Sequence, residues 1–248
     1  MAGLRPFVAD LHVHTVASAC AEVEMIPPLI AQRAWELGLN LLGVADHHSV
    51  ENVEAVQQAA RPFNITILPG MEVQTREEVH ILCLFDRMDA AWRWQEMIWA
   101  HLPSLPNREE FFGAQYVVDP EGRHVRTNGR LLQTSTDLSF EQVVRQADAW
   151  DGLAIPAHVD RPGFSLFANL GMIPPGVELA GVEISRQITA EEARWRFPPL
   201  RGLGLVQSGD AHRLEEMANA TQLVLAEPTV AELRMALLGQ EGRKVVLE

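Results

Sequence analysis

Histidine and acidic side chains recur where apolar segments of this chain end, and these residue types bind divalent metals. Seven of the nine histidines lie within an apolar run or just past its end: His12, His14, His47, His48, His80, His158 and His212. Acidic residues accompany them: Asp10, Asp46, Glu72 and Asp210. An isolated histidine is usually structural, whereas five separate groups near acids are typical of a metal site. We therefore predict a metal centre.

The spacing of His12 and His14 fits a shared ion. In an extended chain residues i and i+2 point to the same side, so both imidazoles face one ion. Asp10 shares that side, either as a ligand or as outer support. Mixed nitrogen and oxygen ligands suit Zn, Mn or Fe. The ligand-type residues outnumber the roughly four of a tetrahedral ion, so we expect two or three ions sharing a carboxylate.

Such multinuclear sites suit displacement at phosphorus, in which one ion generates hydroxide and the others clamp the attacking and leaving oxygens. Phosphate also needs donors for its other oxygens, and arginine offers a bidentate fork. Arg161 and Arg186 follow ligand motifs or strand ends and are the favoured candidates. Arg213 lies beside His212 but has acidic neighbours at Glu215 and Glu216 that it could pair with instead.

Short apolar segments alternate with amphipathic ones, which indicates parallel βα units arranged as a barrel or a doubly wound sheet. Strands are predicted at residues 7–10, 41–45, 65–68, 79–85, 153–157, 182–184, 204–207, 222–225 and 245–247. Helices are predicted at residues 27–37, 50–60, 139–150 and 229–238. The carboxyl ends of parallel strands are where such folds build their sites, and most of the histidine groups follow a strand.

Residues 86–136 interrupt this alternation with a Trp-rich segment, a Pro-interrupted loop and a hairpin-like run. Excursions of this length between regular elements are uncommon and are often functional. Two interpretations stay open: an insertion that covers the site, or a packed side-domain without a function of its own.

Composition limits the classes of partner. The chain has 248 residues, 20 basic and 33 acidic, for a formal net charge of −13. An acidic surface repels phosphate backbones, so no long nucleic acid is expected. No apolar stretch resembles a signal peptide or a membrane span, and two cysteines make no disulfide framework, so we expect a cytoplasmic protein with no membrane partner.

Taken in order along the chain, the motifs resemble those of the PHP (polymerase and histidinol phosphatase) family. They are Asp10-Leu11-His12-Val13-His14-Thr15, Ala45-Asp46-His47-His48, Gly70-Met71-Glu72-Val73, Pro156-Ala157-His158 and Ser208-Gly209-Asp210-Ala211-His212. The resemblance implies a distorted (β/α)7 barrel with an inserted segment, here one domain over residues 1–248. It also implies a trinuclear metal centre and hydrolysis of phosphoesters.

Carried over to this chain, the resemblance implies three ligand sets. The first ion takes His12, His14, Glu72 and Asp210; the second takes His47, His212 and a first-loop residue; the third takes Glu72, His80 and His158. Asp10 and Asp46 would support these ligands. At the first-loop position the family usually has Asp or His, whereas this chain has Cys20. A thiolate there would favour Zn or Fe, and the alternative is a small apolar residue that weakens the second site.

The resulting prediction is a metal-dependent phosphoesterase that hydrolyses a small phosphorylated substrate, a phosphomonoester or a short nucleotide, by metal-bound hydroxide. Catalysis is assigned to Asp210, His212, Arg186 and Arg161. Two alternatives remain open: a non-catalytic, regulatory metal-binding module, and a 3′-5′ exonuclease acting on short oligonucleotides. Hydrolysis of a C–N bond is disfavoured, because the one lysine, Lys244, lies at the tail.

Overall fold

A curled sheet of seven strands forms the centre of the computed structural model, which describes residues 3–247. The order across the sheet is β11-β10-β1-β2-β3-β4-β7. These strands are β1 (Arg5–Val13), β2 (Leu41–Val44), β3 (Thr66–Gln74), β4 (His80–Leu84), β7 (Leu153–Pro156), β10 (Thr221–Leu225) and β11 (Lys244–Leu247). Two further pairs stand apart: β5 (Tyr116–Val118) with β6 (His124–Thr127), and β8 (Gly181–Ile184) with β9 (Gly204–Gln207).

The sequence analysis predicts that all strands are parallel, whereas the structure has both parallel and antiparallel pairs. β1, β2 and β3 are parallel, as are β8 and β9, whereas β3–β4, β4–β7, β1–β10 and β10–β11 are antiparallel. The physical reason is clearest at β3–β4, where a turn closed by the Thr75 amide donating to the Val79 carbonyl (2.9 Å) joins the strands. A parallel crossover needs about a dozen residues. The mixed α/β class is confirmed, and closure into a (β/α)7 barrel stays a prediction.

Helices cover the sheet and are bounded by ordinary sequence signals. They are α1 (Pro27–Glu36), α2 (Val53–Ala60), α3 (Met88–Ala100), α4 (Glu109–Phe112), α5 (Phe140–Ala149), α6 (Leu166–Asn169), α7 (Ala190–Arg196) and α8 (Val230–Leu237). Prolines open α1, and a capping box between Ser139 and Gln142 opens α5. Apolar clusters pack on both faces of the sheet, which explains why its central strands are almost fully buried.

Close contact between β1 and β2 depends on a glycine. A Cβ atom at Gly43 would lie 2.2 Å from the Leu11 carbonyl oxygen, so a larger residue would force the two strands apart. Beyond β9 the chain returns to the end of β1: the His14 amide donates to the Ala211 carbonyl (3.0 Å), and the Ala211 amide donates to the His12 carbonyl (3.1 Å). These two bonds bring segments distant in sequence to one edge of the fold.

Residues 86–136 form α3, α4 and the β5–β6 hairpin. Trp94 is fully buried against Phe85, with ring centroids 5.6 Å apart. The Trp99 indole N–H donates to the His48 carbonyl (2.6 Å), and the Asn52 side chain bonds the hairpin backbone at Tyr116. The segment is thus held against the loop that carries His47 and His48.

Within residues 3–247, no helix is long and apolar enough to cross a membrane.

Candidate metal centre

His12 and His14 meet at the carboxyl end of β1, as their spacing predicts. Both are fully buried, and their Nε2 atoms lie 3.2 Å apart. Their rings are tilted by 39° with centroids 5.0 Å apart. The next residue of the cluster, Asp210, follows β9 and places Oδ1 3.1 Å from His14 Nε2. The ring of His212 stacks on that of His14 with centroids 4.0 Å apart.

Glu72 of β3 lies at the centre of the histidine cluster. Its Oε1 is 2.8 Å from His80 Nδ1, 3.3 Å from His158 Nε2 and 3.4 Å from His12 Nε2. Its Oε2 has no hydrogen-bond partner among the described residues, although His47 Nδ1 lies 2.9 Å away, outside hydrogen-bonding geometry. A carboxylate that faces histidines with both oxygens has the placement of a bridging ligand.

The proton on His14 can be located from its neighbours. Ser18 Oγ donates to Asp46 (2.6 Å) and therefore accepts from the His47 amide (3.1 Å) and from His14 Nδ1 (3.0 Å). His14 therefore carries its proton on Nδ1 and directs the Nε2 lone pair into the cluster. Burial and the neighbouring charge of His212 lower the pKa of His14 well below its usual value, which keeps this ring neutral.

Glu183 of β8 performs the same task for His12. Both of its carboxylate oxygens lie 3.2 Å from His12 Nδ1, and Oε1 also accepts from the His158 amide (3.1 Å). The carboxylate thus holds a proton on Nδ1 and turns Nε2 toward His14. Carboxylates behind histidine ligands are a regular feature of metal sites, where they fix the ring and raise its basicity. The sequence analysis missed Glu183, and its signal was an acid at a buried position of an apolar strand.

His80 is oriented from the opposite side of the cluster. The side-chain amide nitrogen of Gln74 donates to Ser135 Oγ (2.8 Å). The side-chain oxygen of Gln74 therefore faces His80 Nε2 at 3.3 Å and accepts a hydrogen bond from this nitrogen. His80 Nδ1 lies 2.8 Å from Glu72 Oε1. His158 Nδ1 has no hydrogen-bond partner within residues 3–247. Buried histidine nitrogens around a carboxylate, with Glu72 Oε2 and His158 Nδ1 left without hydrogen-bond partners among the described residues, form a donor set that fits divalent ions.

The charges of the cluster compensate one another. Burial disfavours ionisation of Glu72, yet His80 and His12 outweigh it and hold the pKa of Glu72 well below its usual range. Burial likewise opposes protonation of His12, but Glu183 and Asp210 raise the pKa of His12 well above its usual value. The buried carboxylates therefore require positive charge, which protons provide when no metal is bound.

Three donor groups have ligand atoms within 4.8 Å of one another. They are His12, His14, Glu72 and Asp210; His14, His47 and His212; and His47, Glu72 and His80. The first group coincides with the first predicted ligand set, and the others hold two residues each of the second and third sets. Cys20 and His158 belong to none of these groups in the described part of the chain.

Cys20 lies at the rim of the cluster and is exposed to solvent. It lines a cavity together with His47 and His80. Burial raises the pKa of its thiol, but His212 and His47 lower it more, to about 7. The structure therefore brings Cys20 beside two ligands of the predicted second ion, and its role as a ligand stays a prediction.

Asp10 and Asp46 support the loops that carry the ligands. The Asp10 carboxylate accepts from the backbone amides of His12, Gly209 and Ala218, at 3.3, 2.9 and 2.8 Å. Burial, only partly offset by these bonds, raises the pKa of Asp10 to about 6. Asp46 accepts from the Thr15 amide (2.7 Å), the Thr15 hydroxyl and Ser18, so both carboxylates face backbone and hydroxyl donors.

His48 has a structural role, unlike its neighbour His47. Its Nδ1 donates to the Leu132 carbonyl (2.6 Å), and its Nε2 accepts from the backbone amide of Gln74 (2.9 Å). Burial lowers the pKa of His48 to about 4, so the ring is neutral and fully bonded.

Positive backbone φ angles at His158 (32°) and Asp210 (45°) mark strained ligand positions, as is common at functional sites.

The two predicted phosphate-binding arginines differ in position. Arg161 pairs with Asp210 Oδ2 and lines a cavity of about 200 Å³ whose walls include His158 and His212. Arg186 is exposed and is not among the residues lining that cavity or its larger neighbour. Arg213 forms an ion pair with Glu22 (2.8 Å). The structure thus brings one of the two favoured arginines to the cluster.

Comparison with known proteins gives one family and several relatives. A model of the PHP domain matches residues 10–118. A 5′-3′ exoribonuclease of Haemophilus influenzae is 32% identical over 82 residues, a match that spans 32% of this chain and 29% of the relative. A lesion-specific endonuclease, PfuEndoQ from Pyrococcus furiosus, superposes with a TM-score of 0.73 at 19% identity, covering 97% of this chain and 58% of that one.

A metal-dependent phosphoesterase from Bifidobacterium adolescentis, so described only provisionally, superposes with a TM-score of 0.57 at 18% identity, covering 83% of this chain and 87% of that one. At these identities the structural similarities show the fold. This chain spans well under two thirds of the exoribonuclease and of PfuEndoQ. Both are nucleases by name, which conflicts with the predicted restriction to a small substrate. Residues 10–118 of this chain therefore resemble the PHP domain, and the fold is similar to that of these solved structures.

Proposed function

We propose that the protein is a metal-dependent phosphoesterase that uses two or three divalent ions, Zn, Mn or Fe. The observation that carries the proposal is the contact between His12 and His14. Their Nε2 atoms lie 3.2 Å apart, and Glu72 and Asp210 complete a buried group of four donors. Neutral imidazoles and carboxylates in this arrangement bind cations.

Divalent ions bound here would supply Lewis acidity and an activated water for attack at phosphorus. The chain itself holds the ligands in place: Glu183 and Ser18 fix the protons of His12 and His14. Asp210 has a double task in the proposal, because Oδ1 faces the histidines and Oδ2 pairs with Arg161. An incoming phosphoryl oxygen would compete for this guanidinium and be oriented by it.

Of the histidines that contact Asp210, His212 is the most exposed, with 23% of its side chain accessible. Its Nδ1 donates to the Asp210 carbonyl (2.9 Å), so Nε2 is the ring nitrogen available to an ion. We assign His212 to metal binding at the entrance and Cys20 to the same ion. Elemental analysis of Cys20→Ser protein tests the second assignment, and unchanged metal content would overturn it.

The experiment for the main proposal is a hydrolysis screen on protein with measured metal content. The panel includes phosphorylated metabolites, nucleoside mono- and bisphosphates, and dinucleotides, with Mn and Zn each supplied. Release of inorganic phosphate would support a phosphomonoesterase. Full metal content without turnover of any compound would contradict the proposal and favour a non-catalytic metal-binding module.

A second candidate is a nuclease that trims short oligonucleotides. The sequence match to a 5′-3′ exoribonuclease favours it, although that match spans 32% of this chain. The formal charge of −13 argues against a long bound polymer but leaves a short oligonucleotide possible. Oligonucleotides labelled at one end separate the cases. Nucleoside monophosphates released from the 5′ end would match the relative, and release from the 3′ end would match the sequence-based alternative.

A further inference from the structure

Two cavities adjoin at the histidine cluster and differ in chemistry. The smaller one, about 200 Å³, is lined by ligand-type residues and Arg161. The larger one, about 620 Å³, is lined by two exposed phenylalanine rings, by amide and hydroxyl side chains, by Cys20 and two histidines at the cluster, and by one acid, Glu78. His47, His80 and Phe164 line both, so the two cavities share these residues as a common wall. Within residues 3–247, no Lys or Arg lines the larger cavity.

Phe164 stands at the junction of the two cavities. Its ring stacks on the His80 ring with centroids 5.0 Å apart and an interplanar angle of 29°, and 48% of the residue remains exposed. Its backbone has φ 54°, an unusual conformation for a bulky side chain. The His80 amide donates to the Phe164 carbonyl (3.1 Å), and Ser165 caps the following helix, so the flanking backbone fixes this conformation. An exposed ring held under backbone strain beside a site suggests a binding role.

The insertion supplies part of the wall of the larger cavity. Phe112, at the end of α4, is 44% exposed and lines it. Gln133 and Thr134 line it as well, and their side chains have no hydrogen-bond partner in the described part of the chain. Aromatic surfaces with free amide and hydroxyl groups match the two faces and the polar edge of a nucleobase.

We infer that the larger cavity is a nucleobase subsite, in which Phe164 and Phe112 contact the base while the phosphate lies in the smaller cavity beside Arg161. The inference rests on the proposed phosphoesterase function and narrows its substrate class to nucleotides or the terminal nucleotide of a short strand. It also assigns a role to the 86–136 insertion. Among the described residues no lysine or arginine lines this cavity and Glu78 does, which fits an uncharged base, since phosphates of a polymer would need cations along the cavity.

The test is calorimetric binding to the metal-loaded protein of two non-hydrolysable probes. They are the phosphonate analogues of AMP and of ribose 5-phosphate, in which CH2 replaces the ester oxygen. Because stacking on an aromatic side chain contributes on the order of tenfold or more in affinity per base, the AMP analogue should bind about tenfold more tightly than the ribose analogue. Equal affinities would overturn the inference.

Variants identify the residues. Phe164→Ala should weaken the AMP analogue about tenfold and leave the ribose analogue within about twofold. Phe164→Leu keeps apolar bulk without a π face and should lose the same affinity, whereas Phe164→Trp should retain it. Phe112→Ala should also weaken the AMP analogue. Phe111→Ala is the matched control, because Phe111 is 67% exposed and does not line the cavity.

The outcomes separate the subsite from the proposed function. If wild-type protein hydrolyses phosphoesters but binds both analogues equally, the subsite is wrong and the function stands. If the AMP analogue binds more tightly through Phe164 but no phosphoester is hydrolysed, the subsite stands and the function is wrong. Wild-type binding of the AMP analogue by Phe164→Leu would reject stacking at that ring.

Discussion

Replacing Glu183 with glutamine should weaken metal binding without removing any ligand. The Glu183 carboxylate accepts from two donors, His12 Nδ1 at 3.2 Å to both oxygens and the His158 amide at 3.1 Å. An amide has one acceptor oxygen, so its NH2 group would face a donor. His12 can relieve this clash by moving its proton to Nε2, the atom 3.2 Å from His14 Nε2.

That tautomer removes one ligand lone pair from the first donor group. Loss of such an outer partner typically costs about 10- to 100-fold in metal affinity, or about 1.4 to 2.8 kcal/mol. The residue is 1% exposed, and glutamine is nearly isosteric, so the fold should be retained. Glu183→Asp keeps the charge but shortens the side chain, and it should fall between wild type and Glu183→Gln.

The assay is competition for Zn or Mn against a chromophoric chelator, with circular dichroism to check the fold. Glu178→Gln is the matched control, since Glu178 is exposed and precedes the same strand, β8. The control should bind metal as wild type does. Wild-type affinity in folded Glu183→Gln protein would refute the reasoning that Glu183 sets the tautomer of His12.

Three further predictions follow from the geometry. Because carboxylates raise the pKa of His12 when no metal is bound, metal binding should release protons and weaken as pH falls, and calorimetry in buffers of different ionisation enthalpy measures this. Gly43→Ala should lower the free energy of unfolding by about 1 to 3 kcal/mol in urea titrations, whereas Gly129→Ala, with open space at its Cβ, should change it little. Arg161→Ala should raise KM about tenfold or more with metal content intact, whereas Arg186→Ala, outside both cavities, should leave KM near wild type.

The stability of the metal-free protein should follow pH with two opposite signs. The pKa of Glu72 is lowered on folding, so its contribution is present above its unfolded value of 4.5 and is lost as pH falls further. The pKa of His12 is raised, so its contribution is complete below 6.5 and is lost as pH rises through the folded value. The pKa values of His14 and His48 are lowered, so their contributions are present above 6.5 and are lost as pH falls below it. A stability maximum near pH 6.5 is therefore expected, and a monotonic rise toward alkaline pH would contradict it.

Local patterns predicted the histidine pair and the positions of the strands, although β1 continues to Val13 and β3 to Gln74, three and six residues past the predicted ends. The alternation of side chains along a strand places His12 and His14 on one side whatever the rest of the fold does. The short connection between Gln74 and His80 already implied an antiparallel pair, because it cannot contain a crossover helix. The prediction of parallel strands there gave too much weight to the alternation of apolar and amphipathic segments.

Contacts between distant segments could not be predicted in this way. Glu183 lies 171 residues from His12, and nothing in its local sequence indicates which histidine it faces. The direction of Arg186 depends on the turn at Ser185, whose amide and hydroxyl both donate to Asp160 at 2.6 Å. The sequence places Arg186 after a strand, but the contact between Ser185 and Asp160 sets the backbone position from which the Arg186 side chain extends.

The most direct test of the central claim is the rate of phosphoester hydrolysis as a function of bound metal. Protein stripped with a chelator and reloaded stepwise with Mn or Zn is assayed on the same nucleotide, with metal content measured in each sample. We predict a rate that rises with occupancy to two or three ions and is absent without metal, and that Glu72→Gln abolishes. An equal rate in metal-free protein, or full occupancy with no hydrolysis, would contradict the account.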